Sequence, residues 1–274
     1  MVGSEAYELP VSGTLRLARW TTLAAGIAAF TSAVIGIRFG QAWLYQSDDL
    51  MLGQTYGLDL IVLIVVLPLL ALSMRAAWRG SARGLFGWGG VLMYLAYWYH
   101  FLLGGITFGP TYLLHLMVVG SSLLSLGVLG ARLDVERIAH RFRQRMPVRS
   151  IAALMLIGAG LFVIAGAWDL SHQLRERSLL DSATRSVYSV DFTIMLPATI
   201  LAGILLWRRQ SWGYVLAGPL LVNAALSAMT LMVAMIALLR EDVPVHLGAA
   251  GFTIASAVMF AAVIAYLRGM TEPA

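Results

Sequence analysis

Uncharged apolar runs of about twenty residues alternate along this chain with short polar connections, most of which carry arginine. At 1.5 Å of rise per residue, a helical run of that length spans the ~30 Å hydrocarbon of a bilayer. Segments of about ten residues with alternating polarity do not occur, so the pattern predicts membrane helices rather than the strands of a barrel. Eight spans are expected, at about 18–40, 56–74, 85–105, 111–131, 150–170, 188–207, 212–239 and 246–267. The fold class is therefore an all-α polytopic transmembrane bundle. Its connections divide it into a four-helix half (1–131), a basic loop (132–149) and a second four-helix half (150–274).

The arginines orient the bundle. Residues 16, 19, 75, 79, 83, 132, 137, 141, 143, 145, 149, 208, 209 and 268 fall on the side of the N-terminus. Only 38, 175, 177, 185 and 240 fall on the other, a bias of 14 to 5. Positive charge is retained on the cytoplasmic face, which predicts both termini inside. Trp43, Tyr45, Trp78, Trp88, Trp168, Trp207 and Trp212 sit at predicted span ends, as interfacial aromatics do. The first span is read as a retained helix and not a signal peptide, because Glu5 and Glu8 precede it and no small-residue cleavage site follows.

Composition then removes whole classes of chemistry. The chain has no cysteine, which excludes disulfides, thiolate metal sites and iron–sulfur clusters. It has no lysine either, so Schiff-base catalysis and a P-loop are excluded. The net charge of +5 is membrane topology and not a nucleic-acid signal. The segment 132–149 holds six arginines with Leu133, Ile138 and Phe142 between them. It reads either as a solvated loop or as an amphipathic stretch whose apolar residues face lipid while the arginines meet anionic headgroups.

Ionisable groups inside a membrane span are expensive and mark candidate sites. Asp59 opens the second span within Tyr56-Gly-Leu-Asp, and Asp191 opens the sixth within Tyr188-Ser-Val-Asp. A proline follows each, Pro68 and Pro197, and then an arginine-bearing loop. Similar motifs in corresponding spans predict two tandem, parallel four-helix repeats. Arg38 approaches the same face as a counter-charge, and Tyr97 lies within reach of it. These residues form an expected outward-facing pocket for a small solute, cation or proton, with Asp59, Asp191, Arg38, Tyr56, Tyr188 and Tyr97 as its lining. The alternative for each acid is a helix-capping carboxylate in a first turn.

His100 and His115 flank the turn between spans three and four. Two histidines at one depth suit haem b or, with Asp59, a divalent metal, so a redox or metal-dependent membrane protein is the second reading. A structural or assembly subunit, joined to a membrane partner or a second copy through small-residue faces such as Gly158/Gly160 and Gly248/Gly251, is the third. HExxH, GxSxG and DDxxD motifs are absent, and no enzymatic activity is implied.

The run from Gly57 to Gly127 resembles a family of uncharacterised bacterial multi-pass membrane proteins. These share an LDL…LPLL helix, an RGSxRG loop and a tyrosine-rich helix, matched here by Asp59, Leu60, Pro68, Arg79, Gly80, Ser81, Arg83, Gly84, Tyr94, Tyr97 and Tyr99. The resemblance implies a bacterial inner-membrane location. It also makes Asp59 a more general feature than the two histidines, and it implies no particular activity.

Overall fold

The computed structural model describes residues 11, 14–40, 49–105, 108–142, 146–176, 182–240 and 245–271. Trp43, Tyr45, Asp48, Arg143, Arg145, Arg177 and Asp181 lie outside them. Regular structure among the described residues is helical, with two isolated backbone bridges, Val11 to Leu133 and Phe142 to Met270. The helices are α1 (Arg16–Phe39), α2 (Asp49–Ile61), α3 (Leu67–Trp78), α4 (Ala82–Gly105), α5 (Tyr112–Arg132), α6 (Val135–Ala139), α7 (Val148–Glu176), α8 (Ser182–Val190), α9 (Leu196–Trp207), α10 (Ser211–Arg240) and α11 (His246–Arg268). Five-residue π-helical segments, Val62–Val66 and Asp191–Met195, join α2 to α3 and α8 to α9.

Seven of the resulting rods are long and apolar enough to cross a membrane. The remaining predicted span, the third, is α4; it is long enough but rich in tyrosine, tryptophan and glycine, and it is buried over most of its length. It packs against α3, α5, α8 and α10. Because neighbouring helices cover it, α4 does not need a lipid-compatible exterior, and it is the axis of the bundle.

A constant shift relates much of the two halves. Adding 129 to a residue number carries Val62–Val66 onto Asp191–Met195 and Leu67–Trp78 onto Leu196–Trp207, and it carries the start of α4 onto the start of α10. Leu67-Pro68 thus meets Leu196-Pro197. Proline has no N–H to donate and clashes with the carbonyl four residues back. That carbonyl belongs to Ile64 or Thr193, inside the π segment, where the wider turn makes room. The turns after α3 and α9 correspond as well. Each has a residue of positive φ at the shifted position, Gly80 at 87° and Arg209 at 56°.

Contacts interchange under the same shift. α2 packs on α10, and α8 packs on α4. A Cβ on Gly57 would lie 2.8 Å from the carbonyl oxygen of Thr230, so only glycine fits there. The shifted pair is Ser186 and Phe101, where the Ser186 hydroxyl donates to the Phe101 carbonyl at 3.3 Å. The halves differ at their outer helices. α1 packs along α5, whereas α7 and α11 barely touch among the described residues.

Two expectations are corrected here. Neither acid caps a helix. Asp59 stands ten residues after the start of α2 and Asp191 nine after the start of α8, roughly 15 and 13 Å along the rods. Residues 49–55 and 182–187, which precede the expected starts of the two spans, are helical, and their polar side chains had disguised this. Of the apolar residues of 132–149, Ile138 and Phe142 also pack inward among the described residues. Ile138 is fully buried in the short α6, and the Phe142 ring packs 4.8 Å from Tyr214 and 5.1 Å from Tyr266. The segment closes the arginine-rich end of the bundle. There the Arg83 guanidinium donates to the Met270 carbonyl at 2.7 Å, and the Thr271 amide donates to that of Arg141 at 2.7 Å.

Candidate functional site

The central helix α4 gathers the polar core. Tyr94 and Thr230 hydroxyls are 2.6 Å apart, and the Trp98 indole donates to Ser227 at 3.0 Å. Asn223, Ser227 and Thr230 fall on one face of α10 at helical spacing. Asn223 is 5% exposed, and its Oδ1 has no hydrogen-bond partner among the described residues. Under the shift of 129, Asn223 occupies the place of Tyr94.

Asp59 is fully buried, and Asp191 is 6% exposed. Asp59 lies within electrostatic reach of Tyr94 on α4. The Tyr97 hydroxyl donates to Asp191 Oδ2 at 3.4 Å. The two acids therefore stand on separate rods and meet tyrosines three residues apart on α4. They are not in register, however. From the corresponding residues Trp78 and Trp207, Asp59 lies 19 residues away and Asp191 lies 16. Asp191 is thus about 4–5 Å closer to the arginine-rich end, close to one helical turn.

The other expected lining residues are dispersed. Arg38 is exposed, with its guanidinium 5.9 Å from the Phe39 ring, and no ion pair joins it to Asp59 among the described residues. Tyr56 is 39% exposed. Tyr188 donates to Asp169 Oδ2 at 2.6 Å and so ties α8 to α7. Asp169, which also accepts from Gln173 at 3.1 Å, is a third acid near the arginine-poor end. Its position beside the interfacial Trp168 was the available signal for it. The Gly53-x-x-x-Gly57 spacing likewise marked the α2–α10 contact.

His115 is fully buried. Its Nε2 lies 3.0 Å from Ser32 Oγ, and its ring stands edge-on to Tyr99 at 5.4 Å. Those contacts tie α5 to α1 and α4. They occupy the nitrogen that an axial haem ligand would use. His100 is half-buried on α4. Among the described residues, no group of three or more His, Cys, Asp or Glu side chains is placed to hold a metal ion.

No family model, curated protein or solved structure matches the chain.

Proposed function

We propose that this multi-pass membrane protein binds or transports a small solute, with Asp59 and Asp191 exchanging a proton or cation at its core. One observation carries the reading: two buried aspartates lie on proline-bearing, π-interrupted rods that flank the same central helix. A buried carboxylate is costly to keep without a use. π segments followed by proline are weak points in a helical ladder, where a rod can bend. The shift of 129 and the interchange of contacts support reading the halves as tandem parallel repeats, the architecture in which one half rocks against the other around a fixed site. Asn223 supplies a further buried oxygen on the opposing helix.

Proteoliposomes loaded with the pH dye pyranine, under an inside-negative potassium diffusion potential, test the proposal. The wild type is expected to acidify the lumen in the presence of a transported solute or by proton leak. Asp59→Asn and Asp191→Asn are expected to abolish that flux while keeping the wild-type melting profile in detergent. Fluxes equal to wild type in both well-folded variants would sink the reading.

A further inference from the structure

A groove of about 770 Å³ runs between α1 and α5 at the arginine-rich end of the bundle. Among the described residues, its charged lining residues are Arg16 and Arg132. Its remaining wall is largely apolar and includes Trp20, Leu123, Leu124 and Gly127. Space is open at Gly127, where an added Cβ would meet no atom within 4 Å. The backbone bridge from Val11 to Leu133 draws the start of α1 alongside the end of α5, which sets both arginines at the same rim.

From Arg132 to Leu123 the groove extends nine residues along α5, about 13 Å, which is close to the ~15 Å of one leaflet. Cations therefore stand at headgroup level over an apolar trough that reaches the depth of acyl chains. We infer that this groove is a binding site for one anionic phospholipid, its phosphate held by Arg16 and Arg132 and an acyl chain laid along Leu123, Leu124 and Gly127. A water-soluble phosphate would leave the trough unfilled, and a zwitterionic lipid would bring its own cation to the rim.

Native mass spectrometry of the full chain in mild detergent, titrated with phosphatidylglycerol or with phosphatidylcholine of the same chains, tests the site. One phosphatidylglycerol is expected to bind ahead of phosphatidylcholine. Arg16→Gln or Arg132→Gln should weaken it roughly fivefold each, and the pair about twenty-five-fold. Arg149→Gln with Arg208→Gln makes the same change of charge at the same end of the bundle, and should leave it unchanged. Gly127→Phe should block the trough with both arginines intact, whereas Gly120→Phe, in another open place on α5, should not. Equal retention of the two lipids overturns the site, as does equal weakening by the control arginine pair. Displacement by millimolar glycerol phosphate as effective as displacement by the lipid would show a headgroup-only anion site and would also overturn it.

Discussion

The two halves of this bundle share a π segment, a Leu-Pro step and a turn of positive φ at one constant spacing, but they close differently at the edge. In the first half α1 is laced to its neighbours by polar side chains. The Trp88 indole donates to Thr22 at 2.9 Å, the Thr22 and Thr21 hydroxyls lie 3.2 and 2.6 Å from Ser125, and Ser32 meets His115. In the second half, Ile157, Leu161 and Ile164 of α7 and Ile254 and Ile264 of α11 are exposed, and the two helices barely meet. Lipid solvates apolar surface as well as protein does, so apolar faces alone do not hold membrane helices together; close packing and hydrogen bonds do. In the second half α7 packs on α9 and α11 packs on α10, with no comparable seam between α7 and α11 among the described residues. On the proposed function, the laced first half would be the fixed wall and the α7–α9 pair the part that moves.

The strongest way to break this comparison is at the inner contact that both halves share. Gly57→Val puts side-chain atoms into the backbone of α10 at Thr230 and Ala234, and is expected to cost about 3 kcal/mol or to prevent folding. Ser186→Val, at the corresponding contact, already has room for a Cβ and forfeits one hydrogen bond, so its cost should be nearer 1 kcal/mol. Thermal unfolding in detergent reads both. Equal losses would mean that the two contacts are not counterparts.

The seam of the first half comes next. Thr22→Val keeps shape while removing the bonds to Trp88 and Ser125, at ~0.6 kcal/mol each, and should destabilise the protein by about 1 kcal/mol. Because the chain has no native cysteine, Thr21→Cys with Ser125→Cys gives a clean oxidative crosslink of α1 to α5. It should form readily and leave solute flux intact, since this wall is not the moving part. Loss of flux on crosslinking would reverse the assignment of fixed and moving halves.

Much of this was legible in the sequence, for identifiable reasons. Apolar run length fixes spans because lipid tolerates no unsatisfied backbone, and Pro68 and Pro197 announced the breaks in their helices. Helix starts were misjudged wherever polar residues continued a helix beyond the hydrocarbon, as at Asp49 and Ser182, and that error made Asp59 and Asp191 look like caps. Their register was misjudged too. Matching Tyr56-Gly-Leu-Asp to Tyr188-Ser-Val-Asp implies a spacing of 132, three more than the spacing the π segments and prolines obey. Hydroxyl partners such as Thr230 for Tyr94 carry no one-dimensional signature, because they join residues more than a hundred positions apart.

The smallest test concerns the turn after each proline-bearing rod. Gly80 and Arg209 hold the same left-handed place, yet only glycine does so without a steric penalty of roughly 1 kcal/mol or somewhat more. Arg209→Gly relieves that strain but adds freedom to the unfolded chain, worth about half of it, so a net gain of about 0.5 kcal/mol is expected. Gly80→Ala runs the balance the other way and should cost a similar amount. Opposite signs of similar size in paired unfolding curves would show that the two turns are geometric counterparts in the folded protein. The same sign in both would leave the shift of 129 to the helices alone.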